Sequence, residues 1–111
     1  MMTFNIHITD KAQEDIGRAA DYIEFVLKNP DSADELLDAA EAEIGSLSAM
    51  PERYQIPDDD VLRAWGIRYV QVKSYLAFYT VDKTTATVNV IRFLYGKRDW
   101  VSILRHDLLD K

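Results

Sequence analysis

The residues best suited to chemistry gather in one stretch, Val88–Trp100, VNVIRFLYGKRDW. It holds Arg92, Tyr95, Lys97 and Arg98. A guanidinium stays charged at any working pH and can hold two oxygens of one anionic group at once. Such a set suits a polyanion or an acidic partner. The β-branched and aromatic residues before Gly96 predict a strand. Gly96 breaks the run and permits a backbone angle that other residues resist. Asp99 is placed to cap a terminal helix by accepting from a free N–H of its first turn. These side chains therefore belong near one end of a rigid sheet, where loops tend to carry function.

Composition bounds the rest. A chain of 111 residues, 48% hydrophobic, predicts one domain spanning residues 1–111. No apolar run is long enough to cross a membrane, and the N-terminus lacks a basic region followed by an apolar one, which predicts a cytoplasmic protein with no membrane partner. With no cysteine, disulfides and thiolate chemistry are excluded. No cofactor or metal is expected. Asp58-Asp59-Asp60 lacks the spaced ligands and glycine of a calcium loop and reads as a solvated loop capping Val61-Leu62. The net charge of −6 hides a division. Residues 1–60 hold four Lys and Arg against fifteen Asp and Glu, a balance of −11. Residues 61–111 hold nine against four, a balance of +5. The first half reads as an acidic helical surface and the second as the side that meets an anion.

The elements that position the cations follow from periodicity. Phe4, Ile6 and Ile8 alternate with polar residues and predict a short strand. Asp10 and Gln13 form a candidate capping box for an amphipathic helix over Lys11–Lys28, with Ala12, Ile16, Ala19, Ile23 and Leu27 on its apolar side. Asn29 is expected to take the left-handed conformation at its end, with Pro30 in the first turn of the next helix, which runs to about Ala49. The two should form an antiparallel hairpin that packs on the sheet through Ile16, Ile23, Leu36, Leu37 and Ile44. Val61–Trp65 is a short turn or helix. Ile67–Val72, Tyr75–Val81 and the opening stretch make an antiparallel meander, and Trp100, Ile103, Leu104 and Leu108 stripe a last helix. The order is β-α-α-β-β-β-α, an α+β fold with the helical hairpin on one sheet face.

Several short motifs in this order resemble the RelE/ParE superfamily of bacterial type II toxins. They are Ala12-x-x-Asp15-Ile16, Asp21-Tyr22-Ile23, Asn29-Pro30, Leu47-x-x-Met50-Pro51, Leu62-Arg63 and Gly66-Ile67-Arg68. Tyr75–Asp82 and Arg92–Trp100 with Ile103-Leu104 complete the set. The resemblance implies a small toxin of the plasmid-stabilising kind, neutralised by a cognate antitoxin that is acidic, amphipathic and folds as it covers the basic side of the sheet. RelE-like members cut messenger RNA in the ribosomal A site. ParE-like members bind DNA gyrase and have no nuclease chemistry. The fold does not decide between them.

For RNA cleavage the resemblance implies Arg68 and Arg98 as phosphate clamps and Tyr95 as a proton donor, with Arg92, Lys97, Arg63 and Lys73 as further contacts to RNA or partner. A tyrosine is a poor base at neutral pH. The family's C-terminal tyrosine falls near Leu104, and its central-strand arginine near Leu76 or Ala77. His7 and His106 read as surface or hydrogen-bonded residues, and Trp100 as core. The expectation carried forward is a ribosome-dependent endoribonuclease. The alternatives are a gyrase-binding toxin and an attenuated toxin that binds only its antitoxin.

Overall fold

In the computed structural model, which describes residues 3–109, the alternating segment forms β1 (Asn5–Ile8) and the helix after it α1 (Asp10–Asp21). Thr9, not Asp10, caps α1. Its Oγ1 accepts from the Ala12 N–H at 3.2 Å and donates to the Val90 carbonyl at 2.9 Å. A hydroxyl can do both, whereas a carboxylate cannot donate. Gln13 still reaches back, through Nε2 to the Ile8 carbonyl.

The helix does not run regularly to Lys28. Tyr22–Val26 wind as a π-turn, closed by the Leu27 N–H on the Tyr22 carbonyl. Lys28 takes the left-handed conformation expected of Asn29, with φ 54°. Asn29 instead caps α2 (Pro30–Gly45), its Oδ1 accepting from the Ser32 N–H, and Pro30 opens that helix as expected.

Single 3₁₀ turns at Ser46–Ser48 and Pro51–Arg53 lead to a short helix α3 (Asp60–Ala64), capped by Asp59. Gly66, with φ 72°, ends it. The strands β2 (Arg68–Val72), β3 (Tyr75–Asp82) and β4 (Thr87–Tyr95) follow, then α4 (Trp100–Leu109). Asp99 accepts from the Ser102 N–H and hydroxyl at the start of α4, as expected. The fold is α+β, with α3 added to the expected order.

The sheet order is β1-β4-β3-β2. The meander is antiparallel, and β1 joins the outside of β4 in parallel. Both sheet faces are covered. On one, Leu36, Ile44 and Leu47 of the hairpin side pack on Val70, Val72, Tyr79, Val88 and Val90. On the other, Leu62 and Leu104 pack on Ile67, Phe78 and Leu94, with Trp100 set against Phe78 at a centroid distance of 5.2 Å. The expectation of a basic sheet side awaiting a partner is therefore corrected: both faces are covered, and the exposed cations stand on the helices, Arg18 among them, and on turns such as the one carrying Lys97 and Arg98. Leu37 is also corrected. Ala33, Leu36, Ala40 and Ile44 hold the inward positions of α2, and Leu37, about 100° further round the helix, is 41% exposed.

Candidate functional site

Arg92 and Arg98 lie six residues apart in sequence and have opposite fates. The β3–β4 register shifts between Phe78 and Tyr79, so that Phe78 pairs with Arg92 while Tyr79 pairs with Val90. A bulge of this kind re-aims side chains. Arg92 reaches Asp15 of α1 through Nε (2.7 Å) and Nη2 (3.1 Å), and Asp107 of α4 through Nη1 (2.8 Å). Asp15 also accepts from the Phe93 N–H at 3.0 Å. Burial works against the Arg92 charge, but the hydrogen bonds to both carboxylates outweigh it and hold its pKa above the ordinary arginine value. The guanidinium is only 9% exposed as a side chain, so Arg92 is a bolt between α1, β4 and α4. Arg92 was expected among the residues that touch RNA or a partner; it does line the cleft described below, but these carboxylates occupy its guanidinium.

Arg98 stands on the exposed turn after β4, and among the described residues no ion pair engages its guanidinium. Gly96 holds this turn against the β2–β3 turn, its N–H bonded to the Ser74 carbonyl at 2.9 Å. A Cβ at Gly96 would stand 3.2 Å from that oxygen, so close approach, and not a positive φ, is the reason for glycine here. The contact brings Lys73 and Lys97, both exposed, to the same end of the sheet.

Between this end and α1 lies a cleft of about 730 Å³. Arg18 and Tyr22 line it from the helix side, and Tyr75, Tyr95 and Arg98 from the sheet side. Tyr75 stacks on Phe93 (5.2 Å, 7°) and meets Tyr95 edge-on (5.5 Å, 67°). Burial raises the pKa of the Tyr75 hydroxyl, with smaller contributions in the same direction from Tyr95 and Tyr22. Arg18 makes only a long exposed contact to Glu14, 3.9 Å.

Arg68 is elsewhere. It pairs in register with Tyr79, whereas Tyr75 pairs with Tyr95. Four residues of strand separate the two ends, about 13 Å. There Arg68 Nη1 donates to the Tyr54 carbonyl at 2.9 Å, with Glu52 at 3.9 Å. The buried Tyr79 hydroxyl donates to the Pro51 carbonyl beside it, and burial pushes its pKa up to about 12. Arg68 and Arg98 thus do not converge on one phosphate. Arg63 lies on α3 with Asp58 at 3.2 Å. Of the expected set, the structure brings Arg92, Tyr95 and Arg98 to one cleft, with Lys97 and Lys73 at the same end of the sheet.

Sequence reasoning missed Arg18, Tyr22 and Tyr75 as neighbours of Arg98. Pairing of Arg92 with an acidic residue was one of its open readings, but not with Asp15 and Asp107, although a signal for Asp15 was available: it falls three residues after Ala12 and four before Ala19, on the apolar side of α1. A charge there needs a buried partner. Among the described residues no group of three His, Asp or Glu could hold a metal ion, and no helix is long and apolar enough to cross a membrane.

Comparison with known proteins gives the framework for this site. The model of the family described as ParE toxin of type II toxin-antitoxin system, parDE, matches residues 6–100. Among solved structures, the chromosomal ParDE toxin-antitoxin system of P. aeruginosa superposes with a TM-score of 0.70 at 15% identity, over 86% of this chain and 98% of that one. The toxin–antitoxin complex RelBE2 of Mycobacterium tuberculosis gives 0.60 at 21%, over 86% and 93%. At these identities the likeness is one of fold. No curated protein sequence matches. The family model spans nearly all of the elements described above, and the chain belongs to the ParE toxin family of type II toxin–antitoxin systems.

Proposed function

We propose that this toxin acts by binding DNA gyrase, without nuclease chemistry, and is neutralised by a cognate antitoxin. The observation that carries the reading is the cleft's inventory. It gathers cations and tyrosines but no group poised to take a proton. Among the described residues its one lining carboxylate, Asp15, already accepts from Arg92 and the Phe93 N–H. Tyr75 is shifted further from service as a base. Neither histidine lines the cleft. Metal-independent RNA cleavage needs a base for the 2′-hydroxyl as well as cations for the phosphate. The family match supports gyrase as the target, and the toxin–antitoxin assemblies among the fold's neighbours support the antitoxin.

One observation favours the endoribonuclease as a second reading: Arg98 lies beside Tyr95, so a phosphate-holding cation and a hydroxyl donor share the cleft. Purified gyrase distinguishes the two. On the binding reading the protein inhibits gyrase supercoiling in proportion to complex formed and leaves translated messenger intact. Unimpaired gyrase beside cut messenger would refute it.

A further inference from the structure

At the tip of the helical hairpin, the π-turn and the residue after it leave four large apolar side chains in solvent. Tyr22, Phe25, Val26 and Leu27 are 51%, 66%, 63% and 56% exposed. Ile23, between them, packs on the core, so the turn is anchored through one residue and presents four. Tyr22 and Leu27 line the cleft, whereas Phe25 and Val26 line no part of it. Half to two thirds of four such side chains is roughly 400 Å² of apolar surface, the size at which an exposed patch often marks a contact. Both signs of charge border the patch. Asp21 and Lys28 are exposed and Glu24 is half-buried. Among the described residues none of the three is in an ion pair.

We infer that the hairpin tip is a self-association surface whose occupant is the same tip of a second copy of this chain. Charge selects that occupant. A two-fold interface sets one patch against itself, so Lys28 of one copy can pair with Asp21 or Glu24 of the other. A partner segment of a single sign would meet a like charge on part of the same patch. Area sets the strength. Two tips together would bury roughly 800 Å², below the roughly 1,200 Å² at which stable interfaces begin, so the dimer is reversible, with a Kd on the order of 10–100 μM. Tyr22 and Leu27 belong to both surfaces, so a second copy on the tip covers part of the cleft lining, and a ligand of the cleft must displace it. The inference goes beyond the gyrase reading and stands without it.

Sedimentation velocity of the full chain tests it. Its weight-average mass should rise from one copy toward two between about 5 μM and about 1 mM. Phe25→Asp should stay a single copy throughout and keep the native melting temperature, because the side chain it replaces is exposed. Lys28→Glu should weaken association several-fold. The chain has no cysteine, so Val26→Cys introduces a single thiol. On mild oxidation this variant should form a disulfide-linked dimer, and Thr84→Cys, on the exposed turn after β3, should link far more slowly. Hydroxyl-radical labelling of Tyr22 and Leu27 should be several-fold lower in the linked dimer than after reduction. The proposal is overturned if the native chain stays a single copy at every concentration, if Phe25→Asp associates like the native chain, if Thr84→Cys links as readily as Val26→Cys, or if labelling of Tyr22 and Leu27 is the same in both forms. A single-copy chain that floats with phosphatidylcholine vesicles, and ceases to with Phe25→Asp, would make the tip a membrane contact and overturn it too.

Discussion

The two ends of the sheet carry the same residue type and put it to different use. At the Tyr79 end, Arg68 is half-buried and bonded to the Tyr54 carbonyl, where it secures the loop that precedes α3 to β2. At the Tyr95 end, Arg98 stands over an open cleft with its guanidinium in reach of incoming groups. Arg92, between them along the chain, is enclosed by Asp15 and Asp107. Position on a strand therefore says little about whether an arginine is available to a ligand. What decides it is whether the surrounding elements present acceptors within hydrogen-bonding distance. A cation already held by fixed acceptors gains little from a new anion, and one held only by water gains more.

The comparison can be broken by mutation. Arg92→Ala has the largest expected effect: it strands the Asp15 carboxylate in the interior and should cost on the order of 3–5 kcal/mol in urea unfolding. Wild-type stability for this variant would mean the bolt is not formed. Leu36→Ala calibrates the hairpin core at about 2–5 kcal/mol, while Leu37→Ala, one residue on and exposed, should cost well under about 1 kcal/mol. Equal effects would contradict the orientation of α2. Arg68→Ala should cost about 1–2 kcal/mol through the orphaned Tyr54 carbonyl, and Arg98→Ala should change stability by no more than about 0.5 kcal/mol. Thermal melts of this pair separate the arginine held by fixed acceptors from the one left open.

The smallest effect is one of pH. Asp59 caps α3 and meets Arg105 of α4 at 2.8 Å, and the Arg105 hydrogen bond, followed by the Leu62 N–H, holds its carboxyl below the usual carboxylate range. A carboxylate depressed in the folded state contributes stability above its unfolded pKa and loses it as pH falls through the folded value. Asp59→Asn should therefore be less stable than the native chain near neutrality, and the two should converge as pH drops below about 4. Parallel profiles would show that the α3–α4 tie contributes nothing.

Much of this architecture was legible in the sequence because it rests on local rules. The alternation in β2 set Arg68, Val70 and Val72 against Ile67, Tyr69 and Gln71, and the Asp99 cap and the Pro30 helix start follow from side-chain chemistry alone. What was not legible depends on tertiary contact. The π-turn at Tyr22–Val26 leaves the apolar periodicity of the helix nearly intact, so its sequence resembles an ordinary helix; Ile23 still packs on the core while Tyr22, Phe25 and Val26 turn outward. The bulge that turns Arg92 inward has no turn residue to announce it. Lys28 takes the left-handed conformation despite its side chain, because the hairpin connection requires it there and leaves Asn29 for the cap of α2. The cleft joins residues more than fifty positions apart, Arg18 and Tyr22 with Tyr75 and Arg98. No spacing within either half reveals that junction.

The central claim is that the Arg98 end binds and does not cut. Mapping messenger 5′ ends on translating ribosomes with the purified native chain tests it most directly. The account predicts no new ends at the A site at any concentration that saturates gyrase inhibition. Discrete A-site cuts that fall on the order of a hundredfold with Arg98→Ala, at unchanged melting temperature, would contradict it and assign Arg98 to transition-state charge stabilisation instead.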